Sequence, residues 1–265
     1  MSHDKNVHDK KMHDKKSYDK KENENIIEGR NAVMEAFRSG KPVDKLYVLD
    51  GCQDGAVRSI IREARKHDTI LNFVEKDRLN QLSETGKHQG VIASVAAYEY
   101  AEVEDMLKLA EEKGEDPFLI ILDNIEDPHN LGAIIRTAEA AGAHGVIIPK
   151  RRSASLNATV FKTSAGAASW LPVARVSNLA ATIDMLKENG VWIYGTDGEG
   201  QSYTEVKLTG PIGLIVGSEG FGMGRLIKDK CDFLLSLPMA GKVNSLNASV
   251  AAGIFMYEAV RQRNL

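Results

Sequence analysis

The sequence lacks several features that mark particular classes of protein. It has 2 cysteines, Cys52 and Cys231, without metal-ligand or redox spacing, which excludes a disulfide framework and a cysteine-based metal site. No stretch approaches the roughly 18 apolar residues of a membrane helix, and no apolar targeting segment stands near the N-terminus. We therefore expect a soluble, cytoplasmic protein without a metal.

A large excess of positive charge is missing as well. Lysine and arginine total 34 against 37 acidic residues, for a net charge of −3. This balance argues against a generic nucleic-acid coat protein, whose affinity rests on excess positive charge. An enzyme that concentrates basic residues around one RNA site remains open. With 43% hydrophobic residues in 265, the chain can build one large or two ordinary globular domains.

Residues 1–24 repeat a His-Asp-Lys pattern every five residues and contain almost no large apolar side chain. Such a segment has nothing to bury that would offset the entropy of ordering. Its histidines could bind metal only adventitiously. We predict a disordered tail.

Residues 25–97 alternate helical and strand patterns and predict a small α/β domain. The expected elements are helices at 29–37, 56–66 and 78–82 and strands at 45–49, 70–74 and 91–96. On the second helix, Arg58, Arg62 and Lys66 recur every four residues and form one basic stripe. This stripe is either a solvated face or an RNA contact.

Residues 98–115 are charged and mostly helical, which is typical of a linker. Residues 116–265 contain short, continuous apolar runs at 118–122, 146–148, 191–194 and 212–216. Such runs predict parallel strands buried on both faces, and the helical patterns between them favour a doubly wound α/β sheet. In that architecture ligands bind at the carboxyl ends of the strands.

The first motif leaves the strand at 118–122 and enters a helix, with the pattern Asn130-x-Gly-x-x-x-Arg136. Asp127 or Asn130 can cap this helix, and Pro128 suits its first turn. Because Asn130 and Arg136 cannot share one helical face, we expect Asn130 to act from the cap. Arg136 lies beside the apolar stripe, either as a functional cation or as a surface partner of Glu139.

The second motif, Gly217-Ser-Glu219-Gly, follows the strand at 212–216. Its later glycines, Gly220-x-Gly222-x-Gly224, do not have the spacing of a dinucleotide-binding loop. Glu219 would repel a phosphate but suits a cationic ligand such as a sulfonium, or a hydroxyl that must be oriented. The alternative is a plain flexible turn.

The third motif, Ser245-Leu246-Asn247-x-Ser249, precedes the last helix. Ser245 or Asn247 can cap that helix. The helix opens with small residues, so a neighbouring backbone or a cofactor can pack close to it. A helix contact without any ligand is the alternative.

In this order and spacing, the three motifs resemble those of the SpoU (TrmH) family in the SPOUT superfamily, the S-adenosylmethionine-dependent 2′-O-ribose methyltransferases of RNA. Residues 29–33 and 87–91 also resemble the substrate-binding domain of its 23S rRNA (guanosine-2′-O-)-methyltransferase branch. The resemblance covers nearly all of the chain after the tail. Phe221 departs from it, because relatives often carry a polar or basic residue there.

The resemblance implies a C-terminal trefoil knot, against the usual rule that chains do not thread loops. It further implies a homodimer with the active site near the interface and S-adenosylmethionine as cofactor. The catalytic positions that it implies are Asn130, Arg136, Glu219, Ser245 and Asn247. The cofactor contacts that it implies are Thr196, Asp197 through its backbone only, Gly217, Leu237 and Leu246.

For an in-line attack by a ribose hydroxyl on a sulfonium methyl group, an enzyme mainly aligns the reactants and helps the hydroxyl to lose its proton. An arginine is a poor base because its pKa exceeds about 12. We expect Arg136 to clamp the adjacent phosphate, although the family's own suggestion of an arginine base stays open. The run Lys150-Arg151-Arg152 is a predicted phosphate contact, and Arg58 and Arg62 are predicted RNA contacts.

Three alternatives remain open at this point. One is a nucleotide-dependent oxidoreductase, which the glycine spacing disfavours. Another is a catalytically silent RNA-binding or ribosome-assembly protein, which would not need the set Asn130, Arg136, Glu219 and Ser245. The third is a methyltransferase of the same kind that acts on tRNA rather than on rRNA.

Overall fold

The computed structural model describes residues 26–52, 54–95 and 99–263, and the predicted tail of residues 1–24 lies outside them. The chain divides into two compact units, residues 1–97 and residues 98–265. Within the described ranges, no helix is long and apolar enough to cross a bilayer.

The first unit is a four-stranded sheet with helices on both faces. Its elements are β1 (Ile26–Glu28), α1 (Arg30–Arg38), β2 (Val43–Leu49), α2 (Gly55–Lys66), β3 (Ile70–Val74), α3 (Lys76–Leu82) and β4 (Val91–Val95). The strand order is β1-β4-β2-β3, with β2 and β3 parallel and the other pairs antiparallel. All three predicted helices and three predicted strands are present; β1 was not predicted.

The side chains of β2 alternate between the two faces of this sheet and pack against different helices on each face. Leu46 and Val48 are buried with α1 and α2, whereas Tyr47 and Leu49 pack with Leu79 of α3. Successive side chains of a strand point to opposite faces, so one strand supports both layers.

The second unit is a six-stranded sheet whose pairings are all parallel, in the order β10-β8-β9-β5-β6-β7. Its strands are β5 (Phe118–Asp123), β6 (Gly145–Pro149), β7 (Val173–Val176), β8 (Trp192–Ser202), β9 (Ile212–Gly217) and β10 (Phe233–Ser236). Its helices are α4 (Val103–Lys113), α5 (Pro128–Ala140), α6 (Ala158–Thr163), α7 (Leu179–Glu188), α8 (Arg225–Lys228) and α9 (Ala248–Arg263). The doubly wound α/β expectation is confirmed.

Two apolar layers cover this sheet. Helices α5, α6 and α9 contribute buried residues to one layer, and α4, α7 and α8 contribute to the other. The central strand β5 is buried along its whole length because its alternate side chains enter both layers. Parallel sheets are expected to be covered on both faces in this way.

Gly132 of the first motif serves the packing of α5 on α6. A Cβ atom at this position would lie 1.8 Å from Oγ1 of Thr163 and 2.9 Å from the carbonyl oxygen of Val160. Because that space is already filled, any larger residue would force the two helices apart. The glycine therefore fixes where α5, and with it Asn130, stands.

The prediction that residues 98–115 form a linker is wrong. They contain α4, which buries Val103, Met106 and Ala110 in the second unit, and Ala101 forms a parallel bridge with Ala174. These apolar residues recur at helical spacing, but the many charges around them gave the segment the composition of a linker. Two short strands, β7 and β10, were also not predicted.

Candidate active site

A cavity of about 550 Å³, here called the strand-end cavity, opens at the carboxyl ends of β8, β9 and β10. Its walls include Thr196, Asp197 and Gly198 in the middle of β8 and Gly217, Ser218 and Glu219 at the end of β9. Residues 235–239 and 244–246, from the end of β10 into the loop before α9, complete them. All five predicted cofactor residues line this one cavity: Thr196, Asp197, Gly217, Leu237 and Leu246.

Gly217 lets the loop of the second motif fold back on its own strand. A Cβ atom at Gly217 would lie 2.2 Å from the backbone carbon of Gly222, so a side chain there has no room. The loop is closed by the N–H of Gly222, which donates to the carbonyl oxygen of Ser218 at 2.8 Å. Its far end is held by Asp123, whose Oδ2 accepts the N–H of Gly224 at 2.7 Å.

The Glu219 carboxylate joins all three motifs. Its Oε1 accepts from Nδ2 of Asn130 at 2.9 Å, from Nδ2 of Asn247 at 2.8 Å and from the backbone N–H of Ala248 at 3.0 Å. Asn247 also donates to Oδ1 of Asn130 at 2.9 Å. We call Asn130, Glu219 and Asn247 the carboxamide cluster.

The environment of Glu219 favours its charged form. The N–H donated by Ala248 at the start of α9 is the largest influence that lowers the pKa of this carboxyl, and Asn130 adds to it. Partial burial opposes the shift without reversing it. At neutral pH Glu219 is therefore an anion that holds its neighbours in place, and it is a weak proton acceptor.

The prediction that Asn130 acts from the helix cap is wrong. Asp127 is the cap of α5, and its side chain accepts the N–H of His129 at 2.9 Å. Pro128 follows as the first helical residue, so Asn130 falls inside the first turn, where it is buried and reaches across to Glu219. At α9, of the two candidate caps Ser245 and Asn247, it is Asn247 whose Oδ1 accepts from Ser249 N at 3.0 Å.

Arg136 stands apart from the cluster. It is exposed on α5 and belongs to the lining of neither described cavity. Within residues 26–52, 54–95 and 99–263 its guanidinium has no ion pair or hydrogen bond, so the alternative of a surface pair with Glu139 is not formed. Its neighbour Thr137 packs against Gly253 of α9, which places Arg136 beside the α5–α9 contact.

A second cavity, of about 640 Å³, adjoins the first and is here called the α5 cavity. It is lined by residues 124–127, Asn130, Arg152, residues 218–221 and Gly224. Ser218 and Glu219 line both cavities. The buried Oγ atom of Ser218 has no hydrogen-bond partner among the described residues, so a polar group of a ligand can satisfy it.

The predicted basic residues occupy different places. Arg152 lines the α5 cavity, and Arg151 is exposed beside it. Lys150 is half-buried, and its carbonyl oxygen accepts from Arg175 at 3.2 Å. Arg58 and Arg62 are exposed on α2 of the first unit.

Asp197 directs its side chain into an ion pair. Its Oδ2 lies 2.8 Å from Nζ of Lys228. Partial burial alone would raise the pKa of Asp197, but Lys228 and the N–H of Glu199 outweigh it and lower that pKa. Because the carboxylate is already paired, its backbone remains for a ligand in the cavity.

Sequence reasoning did not single out Ser218 or Asp123. Ser218 lies inside the second motif between Gly217 and Glu219, and only the structure shows that its hydroxyl is buried between two cavities. Asp123 ends β5, and its role depends on a residue 101 positions later. No local pattern could report that contact.

Comparison with known proteins is informative along most of the chain. Residues 117–257 match the SpoU rRNA Methylase family, and residues 26–101 match the family described as RNA 2′-O ribose methyltransferase substrate binding. YacO of Bacillus subtilis, assigned to the TrmH family of tRNA/rRNA methyltransferases, is 51% identical over 244 residues, which cover 92% of this chain and 98% of YacO.

Solved structures agree with these matches. The SpoU methyltransferase AviRb of Streptomyces viridochromogenes, in complex with AdoMet, has a TM-score of 0.57 and 29% identity and covers 89% of each chain. An AdoMet-bound rRNA methyltransferase of Sinorhizobium meliloti has a TM-score of 0.55 and 25% identity, covering 89% of this chain and 86% of its own.

Proposed function

Because this chain belongs to the SpoU rRNA methylase family and is an RNA methyltransferase, we propose that it methylates the ribose 2′-hydroxyl of a guanosine in 23S rRNA. The observation that carries the proposal is the junction of two cavities at the carboxamide cluster. One cavity collects every residue expected to hold the cofactor, and the other adjoins it at Ser218 and Glu219. Two substrates can thus meet at one wall.

S-adenosylmethionine fits the chemistry of the strand-end cavity. The unpartnered Oγ of Ser218 offers a hydrogen bond, Leu237 and Leu246 offer apolar contact, and the anionic Glu219 favours a cationic ligand. The residues that would hold the cofactor are Thr196, Asp197, Gly217, Leu237 and Leu246. When bound, S-adenosylmethionine supplies an activated methyl group.

The chain's own residues would mainly position the acceptor. Asn130 is buried and oriented by Glu219, and Asn247 and Ser245 lie beside the same junction. Arg136 would bind the phosphate next to the reacting ribose and hold the 2′-hydroxyl for attack. Solvent or that phosphate would take the proton, since an arginine with a pKa above about 12 rarely gives up its own.

We further propose that the active unit is a homodimer in which Arg136 completes the site of the partner copy. In its own chain, Arg136 lines neither cavity and has no described partner, which is unusual for a catalytic cation. It lies beside the α5–α9 contact, and α9 exposes Val250 by 52% and Tyr257 by 51% of their surfaces. An exposed apolar face on α9, next to the Arg136 side chain that has no described partner, is typical of an interface between two copies of the chain.

From the family resemblance we also propose a trefoil knot in the second unit, a cytoplasmic location, and 23S rRNA rather than tRNA as the substrate. The exposed Arg151 and Arg152 and the α2 residues Arg58 and Arg62 are the proposed RNA contacts.

The proposal is tested by methyl transfer to unmodified transcripts. Purified protein and S-adenosylmethionine are incubated with a 23S rRNA transcript or a pool of tRNA transcripts, and the RNA is digested to nucleosides for mass spectrometry. We expect 2′-O-methylguanosine from the 23S transcript only. Methylated product from the tRNA pool alone would show that the substrate is tRNA and not 23S rRNA. Binding of the cofactor in calorimetry without any methylation would favour a catalytically silent RNA-binding protein.

A further inference from the structure

Resting on the proposed function, we infer that the α5 cavity is a guanine-binding site in which Glu126 reads the base and Phe221 stacks on it. The cavity holds about 640 Å³ and shares Ser218 and Glu219 with the strand-end cavity. A nucleotide whose ribose lies at that shared wall has its base within this second cavity. Both side chains are exposed, and among the described residues Glu126 forms no ion pair or hydrogen bond.

The carboxylates of the α5 cavity differ in what they are free to bind. Asp127 is engaged as the cap of α5, and Oε1 of Glu219 already accepts three hydrogen bonds. Glu126 is exposed, and among the described residues it has no ion pair or hydrogen bond. Within the described part of the chain, it is therefore the lining carboxylate that has both oxygens open to a ligand.

An ionised carboxylate accepts hydrogen bonds through two oxygens and donates none. The Watson–Crick edge of guanine presents two adjacent donors, N1–H and the N2 amino group, which match those oxygens. Adenine and cytosine present a donor beside an acceptor lone pair, which a carboxylate repels. Uracil offers a single N–H between two carbonyl oxygens. Of the four bases, guanine fits Glu126.

Phe221 supplies the other half of base recognition. It stands in the turn of the second motif, lines the α5 cavity, and is 94% exposed, so it contributes almost nothing to the core. An exposed aromatic ring beside a cavity is a stacking platform, because every base has a π-face. Stacking alone would accept any base, so the choice falls to Glu126.

The charges in this cavity are arranged to separate base from phosphate. Arg152 lines it together with Glu126, yet the two form no ion pair among the described contacts. A cation suits the phosphate, and a carboxylate would repel it. The cavity thus offers one place for the anionic backbone and another for a donor-rich base edge.

The first experiment changes only the charge and acceptor capacity of Glu126. Glu126→Gln and wild type are compared in methyl transfer to the unmodified 23S transcript, with each 2′-O-methylnucleoside quantified separately. We expect 2′-O-methylguanosine as the wild-type product and a loss of about tenfold or more in kcat/KM for the variant. The Kd of S-adenosylmethionine should not change, because Glu126 does not line the strand-end cavity. Glu104→Gln, an exposed carboxylate on α4, is the matched control.

The second experiment tests the contact itself. After the methylated guanosine is mapped, a short RNA around it is made with guanosine or inosine at that position, since inosine lacks the N2 amino group. Wild type should lose about tenfold on inosine, and Glu126→Gln should lose little more than it has already lost. Equal losses on inosine in both proteins would overturn the role of Glu126.

The third experiment tests stacking. Phe221→Ala should raise KM for RNA by about tenfold with kcat less affected, and Phe221→Tyr should restore it. Trp170→Ala is the control, because Trp170 is 82% exposed and lines neither cavity. Unchanged KM in Phe221→Ala, a wild-type product on another base, or full activity of Glu126→Gln would overturn the guanine site. A wild type that forms no 2′-O-methylnucleoside would instead overturn the proposed function.

Discussion

Glu219 accepts a hydrogen bond at 2.9 Å from the side chain of Asn130, which precedes it by 89 residues. Asn247, a further 28 residues along the chain, donates to the same oxygen. The three motifs that the sequence presents separately are thus parts of one polar cluster. Removing one member of such a cluster leaves its partners unsatisfied, so the effects should extend beyond the residue removed.

Glu219→Ala should weaken both cofactor binding and turnover. The variant loses the anion that faces the strand-end cavity and frees two carboxamides and the first N–H of α9. We expect kcat to fall by about 10²–10³, a range typical of losing a positioned polar contact. Calorimetry gives the cofactor Kd and tritiated-methyl transfer gives kcat. A variant with normal affinity would show that Glu219 acts on the acceptor side alone.

Arg136→Ala should lose turnover and keep cofactor affinity. The side chain is exposed and lines neither cavity, so its removal leaves no void in the core. The proposed phosphate contact matters mainly in the reactive arrangement, and the loss in kcat should be roughly 10²–10³. Arg65→Ala, another exposed arginine on a helix, is the control. Near-normal transfer by Arg136→Ala would return this residue to a surface role.

Mixing two inactive variants should restore activity if Arg136 serves the partner copy. The partner for Arg136→Ala is Gly198→Trp, because a Cβ at Gly198 meets nothing within 4 Å and a large ring there fills the strand-end cavity. In a mixed dimer, one site combines an open cavity with an intact Arg136. We expect up to about a quarter of wild-type activity from an equal mixture, assuming random pairing of subunits.

The same dimer should dissociate when its proposed face is charged. Tyr257→Asp places a carboxylate on the exposed side of α9. Sedimentation should then report monomers, and circular dichroism should report an unchanged helix content. No recovery of activity in the mixture, together with monomeric wild-type protein, would reject the arrangement.

His144 should make the protein less stable below its ordinary pKa of 6.5. Its Nδ1 accepts the N–H of Phe118 at 3.0 Å, and Nε2 donates to Glu115 at 3.1 Å, so the folded state holds the neutral ring. Burial is the main cause that lowers this pKa in the folded protein. As the pH falls below 6.5, the unfolded chain takes up the proton first, and stability should drop by up to about 1.4 kcal/mol per pH unit.

The check for His144 is urea denaturation across that pH window. His144→Gln keeps one acceptor and one donor but cannot titrate, so its unfolding free energy should change less between neutral pH and pH 5. An identical slope in both proteins would assign the pH dependence to other groups.

A fragment of residues 98–265 should bind S-adenosylmethionine, whereas a fragment of residues 115–265 should be poorly folded. The shorter fragment removes α4 and uncovers the layer that holds Met106, which is fully buried. Exposing such a layer typically costs several kcal/mol. Circular dichroism and calorimetry distinguish the two. Equal stability of both fragments would restore the interpretation of 98–115 as a linker.

The sequence could predict what depends on local periodicity and on motif order. The buried strands and most helices follow from apolar runs and helical spacing, whereas the residues expected to line the strand-end cavity came from the resemblance to the SpoU family. The sequence could not predict that α4 belongs to the core, because the three residues that α4 buries, Val103, Met106 and Ala110, are outnumbered by charged residues in the same segment. It also missed the position of Asn130, because the choice between two cap residues depends on which side chain finds a distant partner.

Nor could the sequence predict contacts between residues that are far apart along the chain. The bond from Gly224 to Asp123 spans 101 positions, and the open hydroxyl of Ser218 results from how two cavities meet. Neither the residue types nor their spacing in the sequence indicates where two cavities adjoin. Charge patterning was ambiguous as well: Lys150, Arg151 and Arg152 are consecutive, but of the three only Arg152 lines either of the two cavities described above.

The carboxamide cluster also sets an order of events during synthesis. A chain is made from its N-terminus, and its first unit can fold while the second is still emerging. Until Asn247 and Ala248 have been added, Glu219 can accept only the bond from Asn130, because the other two bonds to its Oε1 come from those later residues. A nascent chain that already carries a folded substrate-binding unit therefore has no assembled methyl-transfer site. RNA bound at that stage would be held without being modified.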